Sequence, residues 1–152
     1  MNKKGLFVGL VTLDTIYRAA TSPTSNQKIV ATDFTVAAGG PATNAAVTFS
    51  YLGNAATLVG AIGCHPITSL VRADLADYDV AIADLAPERS ESLPVSSIVV
   101  TEATGDRAVV SLNASKSQIS PEHIPSTVWT QLAQADIVLV DGHQIPVSVA
   151  IA

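Results

Sequence analysis

The stretch that most constrains the fold is Ala38-Gly39-Gly40-Pro41-Ala42-Thr43-Asn44-Ala45-Ala46, which opens the longest helical pattern in the chain. Two consecutive glycines permit a sharp backbone turn or the close approach of a ligand. Pro41 suits a first helical position, where an N–H would have no helical partner. The sequence predicts a helix over 41–52. Its start is either a plain strand-to-helix turn or a site where backbone N–H groups and Asn44 meet an anion or an oxygen-rich ligand.

Short apolar runs alternate with helical patterns along the rest of the chain. Buried strands are predicted at 5–11, 56–63, 80–82 and 135–141, and further helices at 66–76 and within 121–135. Strands that are apolar on both faces are typical of a parallel sheet covered by helices, joined by right-handed crossovers. A length of 152 residues, 48% of them hydrophobic, is enough for one domain with a buried core. We therefore expect a three-layer α/β/α fold.

Four other segments have the pattern of half-exposed strands, and they are 12–17, 28–36, 95–102 and 107–113. The last two are separated by Ala103-Thr104-Gly105-Asp106, whose Thr-Gly-Asp sequence is a good hairpin signal. We expect these segments to form a small antiparallel sheet outside the main core.

Polar residues stand where buried strands are predicted to end. Asp14 follows the first strand, and Asp141-Gly142-His143 follows the last. Ligands of open α/β sheets collect at the carboxyl ends of the strands, so both aspartates are candidate ligand contacts. The alternative for Asp14 is a turn or helix-capping role. Lys28, in the second half-exposed segment, is either a solvated charge or a ligand contact.

Charge and cysteine usage exclude several classes of function. The net charge of −5, with no basic run, argues against nucleic acid as a partner. No apolar run approaches the length of a membrane span. Cys64 is the one cysteine, so no disulfide within the chain and no cysteine metal cluster can form, which fits a cytoplasmic protein. Asn2-Lys3-Lys4 and the apolar run after it resemble a secretory signal, but Asp14 and Arg18 soon interrupt the pattern, and a first core strand explains it better.

The last strand, 135–141, is predicted to be central in the sheet, yet only the start of a helical pattern, 146–152, follows it. An apolar strand without a further neighbour invites aggregation. We therefore expect the chain to be the N-terminal part of a larger fold, truncated after a central strand.

Together these residues resemble the N-terminal half of the PfkB/ribokinase-like carbohydrate kinases. Gly53 stands nine residues after Asn44, and Gly63 ten residues after Gly53. With the glycine pair at 39–40 and Ala46, this spacing reproduces the first signature of that family. The resemblance also takes in Gly9 to Asp14 upstream and the segment 138–143 downstream, so it covers almost the whole chain.

The resemblance implies a kinase that transfers phosphate from ATP, with Mg²⁺, to a sugar or a sugar-like substrate. It implies that Asp14 binds substrate hydroxyls and that Gly39, Gly40 and Asn44 complete the pocket. It also implies that Asn113 and Asp141 are further substrate contacts. The half-exposed strands would form a lid over the substrate, which often is a dimer interface in this family, so a homodimer is expected. Lys28 on this lid would suit a substrate with an anionic group.

The second signature of the family, a glycine-rich turn of the Gly-Ala-Gly-Asp type, does not occur in this sequence. In the family that turn supplies the catalytic aspartate and stabilises the transferring phosphate. The resemblance thus assigns no catalytic residue and no metal ligand to this chain, which should be inactive alone. Three interpretations follow: the substrate half of a sugar kinase, a non-catalytic sugar-binding or interaction module, or part of a nucleoside kinase of the same family.

Overall fold

The computed structural model describes residues 2–112 and 114–152. The strands in these residues are β1 (Lys4–Val8), β2 (Thr12–Ala19), β3 (Asp33–Gly39), β4 (Ala55–Gly60), β5 (Ala81–Asp84), β6 (Val95–Thr101), β7 (Arg107–Ser111) and β8 (Ile137–Val140). The α-helices are α1 (Pro41–Tyr51), α2 (Thr68–Asp77), α3 (Ser126–Gln134) and α4 (Ile145–Ile151). Short 3-10 turns lie at Ala114–Ser117 and Pro121–His123.

The main sheet is parallel, in the order β5-β4-β1-β8. One face packs against α1 and α2, through Ala42 and Ala46 of the first helix and Val71 of the second. The other face packs against α3 and α4, through side chains that include Val128 and Val147. Helices on both sides of a parallel sheet confirm the predicted three-layer α/β/α architecture.

A second, smaller sheet has the order β3-β2-β6-β7 and is called the lid below. The outer pairs are antiparallel, but β2 and β6 pair in parallel, so the expectation of an antiparallel sheet is wrong for the middle of the lid. The reason lies in the main sheet. β2 follows β1 and β6 follows β5, and because β1 and β5 run in the same direction, both lid strands leave the sheet from its carboxyl end.

The lid strand expected at 28–36 begins only at Asp33, which pairs with Arg18. β2 ends at Ala19, so residues before Asp33 have almost no strand left to pair with. Ile29 and Ala31 are half-buried although they lie outside a strand, and Val30 between them is exposed. Lys28 lies in the loop between β2 and β3, not in a strand.

Candidate substrate site

The glycine pair forms a tight turn between β3 and α1. Gly40 has a φ of 107°, in the region that favours glycine, and a Cβ atom at this position would overlap the carbonyl oxygen of Leu10. The same oxygen accepts a hydrogen bond of 2.9 Å from the hydroxyl of Thr43, which is fully buried. The turn is therefore fixed against the segment that joins β1 to β2, and a side chain at position 40 would push these two segments apart.

The start of α1 is capped by a side chain from a loop that is distant in sequence. The Oδ2 atom of Asp141, in the loop after β8, accepts hydrogen bonds from the backbone amides of Leu10, at 2.9 Å, and Ala42, at 3.1 Å. Its Oδ1 atom accepts one from the amide of His143, at 2.9 Å. A carboxylate at this end of a helix is favourable because the helix dipole is positive there. The anion that the sequence suggested for this helix start is thus present within the chain, as the Asp141 side chain.

These contacts bear on the prediction that Asp141 binds substrate. Its side chain is only 3% exposed, and both carboxylate oxygens bond to the chain itself. Gly9 has to lack a side chain because a Cβ atom there would overlap this carboxylate. The arrangement gives Asp141 a bracing role between β1, α1 and β8, and a substrate contact by this residue stays a prediction.

Asp14 lies at the base of the lid, on β2, and is half-buried. Its Oδ1 atom accepts a hydrogen bond of 2.8 Å from the hydroxyl of Thr12, two residues earlier on the same face of the strand. Gly39 of β3 lies directly beside both, because a Cβ atom there would overlap the Asp14 carboxylate. Within the described part of the chain, Thr12 is the one donor to Asp14, so acceptor capacity remains for a ligand.

Polar side chains continue from Asp14 across the same face of the lid. Asp14 is in register with Ser96 of β6, and Ser96 with Ser111 of β7, where the two serine hydroxyls are 3.0 Å apart. Ser111 lines a cavity of about 380 Å³. The other lining residues are Leu10, Leu112, Ala114, Gln118, Gly142, His143 and Ile145. The cavity therefore lies between the lid and the carboxyl end of β8, where an α/β sheet collects ligands.

His143 is one of three polar side chains of this cavity, with Ser111 and Gln118, to which the sequence interpretation gave no role. Its Nδ1 atom lies 3.2 Å from Oδ1 of Asp141, and the ring is partly exposed. Because Nδ1 faces the carboxylate, Nε2 is the ring nitrogen left for a ligand. The sequence places His143 directly after a predicted strand. It does not show that His143 faces the cavity while Asp141 bonds to the chain itself.

Two further side chains that the sequence interpretation missed hold segments next to the site in place. The carboxylate of Asp74, on α2, accepts a hydrogen bond of 2.8 Å from the amide of Ala38, just before the glycine pair. Gln144 is buried and bonds the backbone of Ile119 and Ser117, at 3.0 and 2.6 Å. No local pattern marks either residue, because both bond to segments that are far away along the chain.

None of the site residues that the sequence predicted is among the described residues that line this cavity, although Asp141 lies next to Gly142 and His143 in sequence. Asn44 is exposed on the first turn of α1 and lines a separate groove beside Phe7 and Phe49. Lys28 is exposed on its loop, and among the described residues no hydrogen bond or ion pair joins it to Asp14. Asn113 lies outside the described residues, although its neighbours in sequence, Leu112 and Ala114, both line the cavity.

Among the described residues, two side chains have shifted pKa values, Lys3 and Asp136. Both lie at the amino end of the main sheet, opposite the candidate site. A hydrogen bond of 2.8 Å from Lys3 lowers the pKa of Asp136, helped by the amide of Lys4, and the same bond raises the pKa of Lys3. In the part of the chain that the structure describes, no three His, Cys, Asp or Glu side chains come together as metal ligands. No described helix has the length and apolar character to span a membrane.

Comparison with known proteins identifies the fold and the family. The model of the pfkB family carbohydrate kinases matches residues 2–151. A protein from Agrobacterium tumefaciens described as a ribokinase aligns with a TM-score of 0.78 and 25% identity, over 99% of this chain and 48% of its own. The ribokinase of Cryptococcus neoformans, in complex with ADP, aligns with a TM-score of 0.70 and 22% identity, over 99% of this chain and 44% of its own. Arabidopsis thaliana ribokinase, complexed with ribose and ATP, aligns with a TM-score of 0.68 and 19% identity, over 99% and 50%. The chain spans about half the length of these solved structures.

Proposed function

Because the chain belongs to the pfkB family of carbohydrate kinases, we propose that it forms the substrate-binding half of an ATP-dependent sugar kinase, which transfers phosphate from ATP to a sugar hydroxyl. The solved relatives include one bound to ADP and one bound to ribose and ATP, which supports a sugar and a nucleotide as the two ligands of the complete enzyme.

The observation that carries the proposal is the arrangement of Asp14, Thr12 and Gly39. The Thr12 hydroxyl orients the carboxylate, and the bare backbone of Gly39 lies against it. A polyol needs fixed acceptors for its hydroxyls and space for close approach. Asp14 supplies the acceptor, and the glycine supplies the space.

The cavity between the lid and β8 extends this binding site. Ser111 and His143 offer a hydroxyl and an imidazole nitrogen to the part of the substrate farther from Asp14. Asn113, next in sequence to two lining residues, is proposed as a further contact, and Asp141 orients His143. Lys28, on the loop before β3, would serve a substrate with an anionic group when that loop approaches the sugar.

Phosphate transfer is proposed to require residues that this sequence does not contain. Phosphoryl transfer depends on positioning and on stabilisation of the charge that develops on the phosphate. The Gly-Ala-Gly-Asp turn that has this task in the family does not occur here. ATP and Mg²⁺ would supply the phosphate and the neutralisation of its charge in a complete enzyme of this family. We therefore expect this chain alone to bind substrate without turning it over.

The test is calorimetry with a panel of ribose, fructose, a hexose phosphate and adenosine. We expect one sugar to bind the wild-type chain and the Asp106→Ala variant equally, since Asp106 lies in the exposed turn between β6 and β7. Asp14→Ala should abolish binding. Unchanged affinity in Asp14→Ala would refute the assigned role, and binding of adenosine alone would favour a nucleoside kinase. Binding by a chain whose complete reading frame lacks the Gly-Ala-Gly-Asp turn would favour a non-catalytic sugar-binding module.

A homodimer through the lid is part of the proposal. The face of the lid away from Asp14 exposes Phe34 and Val110, and the rings of Phe34 and Tyr17 pack against each other with centroids 4.9 Å apart and planes tilted by 40°. Exposed apolar side chains of this kind favour association. Light scattering should report a dimer that Phe34→Glu converts to a monomer, and a wild-type monomer at the same concentration would refute it.

A further inference from the structure

A second cavity, of about 280 Å³, lies at the amino end of the main sheet, on the face that α3 covers. Its polar lining comes from Lys4 of β1, Thr57 of β4, and Gln131 and Gln134 of α3. The candidate substrate site lies at the opposite end of the sheet, where the strands finish. The two cavities therefore have no lining residue in common.

The cavity exists because the cover that α3 gives to β4 is incomplete. Ala55, Thr57 and Val59 of β4 lie on the same face, since side chains alternate along a strand. Val59 is fully buried, whereas Thr57 is half-buried and Ala55 is exposed. The helix thus covers the carboxyl half of the strand, and two small side chains leave space beside its amino half.

Gln131 is a polar residue at a position that faces the core. It follows Val128 by three residues and precedes Ala135 by four, and both of these pack into the apolar cluster between α3 and the sheet. The Oε1 atom of Gln131 is buried and has no hydrogen-bond partner in the described part of the chain. Buried amide oxygens in native proteins nearly always accept a hydrogen bond. A ligand with a donor group would supply the bond that the fold leaves open.

The other polar groups of the cavity favour an anion. Lys4 is the one charged residue among the described residues that line it, and its Nζ atom donates to Oε1 of Gln134, at 3.0 Å. This bond leaves the Nε2 group of Gln134 as a further donor, and the Thr57 hydroxyl can donate or accept. The nearby carboxylate of Asp136 bonds instead to Nζ of Lys3 and to the Lys4 amide, both at 2.8 Å. The cavity thus combines one positive charge, several donors and one buried acceptor.

We propose that this cavity is a second ligand site, which binds a small carboxylate that carries a hydroxyl group. The carboxylate accepts hydrogen bonds from Nζ of Lys4 and Nε2 of Gln134, and the hydroxyl donates to Oε1 of Gln131. The volume is slightly below the range of roughly 300–1,000 Å³ that is typical of drug-sized ligands, so the cavity suits a smaller molecule. The inference does not depend on the proposed function, because the candidate substrate site contributes no residue to it.

The test is an NMR titration of the chain with lactate, propionate and lactamide, which have nearly the same shape. Propionate lacks the hydroxyl of lactate, and lactamide lacks its charge. We expect lactate to shift the side-chain amide signals of Gln131 and Gln134 and to raise the unfolding midpoint as its concentration increases. Propionate and lactamide should each bind roughly fivefold or more weakly, since each loses a hydrogen bond or its charge.

Two variants separate recognition of the charge from recognition of the hydroxyl. Lys4→Gln should weaken lactate binding at least about tenfold. Arg107→Gln, which removes a positive charge from the exposed strand β7, should not. Gln131→Met should reduce the affinity for lactate to that for propionate and leave propionate binding unchanged, whereas Thr130→Met, at an exposed position of α3, should bind lactate normally. Gln131→Met should unfold at the wild-type temperature or above it, because it removes a buried amide that lacks a partner.

Two results would overturn the inference. If a large excess of lactate fails to shift the Gln131 signal, water alone satisfies the buried oxygen. If Asp14→Ala abolishes the lactate shifts and Gln131→Met does not, lactate binds at the candidate substrate site instead. Neither result would count against the proposed kinase function, and a failure of sugar binding would leave the lactate titration unaffected.

Discussion

Asp141 bonds through its carboxylate to the amide of Ala42, at 3.1 Å, although 99 residues separate the two in sequence. The loop after β8 therefore caps the N-terminus of α1. We expect Asp141→Asn to lower the free energy of unfolding by about 2–4 kcal/mol, because its NH₂ group would face backbone donors in a buried place. Urea denaturation measures the change. Asp106→Asn is the matched control on an exposed turn, and a loss as small as in this control would contradict the bracing role.

Gly40 should tolerate a side chain far less than Gly53, although both have a positive φ, of 107° and 83°. A Cβ atom at position 40 would overlap the Leu10 carbonyl, whereas one at position 53 would meet nothing within 4 Å. We expect Gly40→Ala to reduce stability by at least about 2 kcal/mol more than Gly53→Ala, since it adds steric overlap to the conformational strain that both share. Thermal and urea unfolding of the two variants would reveal the difference, and equal losses would show that overlap is unimportant.

Thr12 should act on ligand binding through Asp14. Thr12→Val keeps the shape of the side chain but removes the hydroxyl that donates to the Asp14 carboxylate. We expect sugar affinity to fall roughly five- to tenfold, the value of about one hydrogen bond. Calorimetry with the sugar that binds best is the measurement. Thr15→Val, on the opposite face of the same strand, should bind normally, and a similar loss in both variants would point to a general effect on β2.

Asp74 should hold the edge of the lid beside the glycine pair. The amide of Ala38 donates to its carboxylate, so Asp74→Ala should speed hydrogen exchange of this amide by roughly tenfold or more. Asp74→Asn keeps an acceptor and should retain most of the protection. Exchange followed by NMR distinguishes the two variants, with Asp77→Ala at the end of α2 as the control. Equal exchange in Asp74→Ala and wild type would show that the contact does not hold β3.

The pair of Lys3 and Asp136 should give a small, pH-dependent contribution to stability. The pKa of Asp136 is lowered in the folded state, so its contribution is present above the ordinary value of 3.8 and is lost as the pH falls through the folded pKa. The pKa of Lys3 is raised, so its contribution is present below 10.5 and is lost as the pH rises through the folded pKa. The difference in unfolding temperature between wild type and Asp136→Asn should be constant near neutral pH. It should become smaller at acidic pH and at alkaline pH. A gap that persists at pH 2 would contradict this assignment.

Much of the architecture was predictable because it depends on local patterns. The apolar runs gave the four strands of the main sheet, and Gly39-Gly40-Pro41 marked the start of α1 at the correct residue. Their spacing to Gly53 and Gly63 also led to the family that the comparison confirms. Each of these features is encoded within a few residues or in a fixed spacing, so the sequence alone reveals it.

What could not be predicted depends on distant segments that meet only in the fold. The bracing role of Asp141 requires Leu10, which is 131 residues away, and the role of Asp74 requires Ala38, which is 36 residues away. The parallel pairing in the middle of the lid follows from the direction of β1 and β5, which no pattern within the lid records. The late start of β3 follows likewise from where its partner β2 ends.

The parallel pairing of β2 with β6 has a consequence for how the chain is made. Ala19 and Thr101 are partners in this pair, so the strand that carries Asp14 acquires its second neighbour only after about 80 more residues have left the ribosome. At ordinary rates of translation this takes roughly 4 to 16 s. Through that interval the lid consists of the hairpin of β2 and β3 alone, and a two-stranded pair is at best marginally stable in water without further packing. The nascent chain therefore holds an incomplete lid for seconds, and this is the period in which chaperones would engage it.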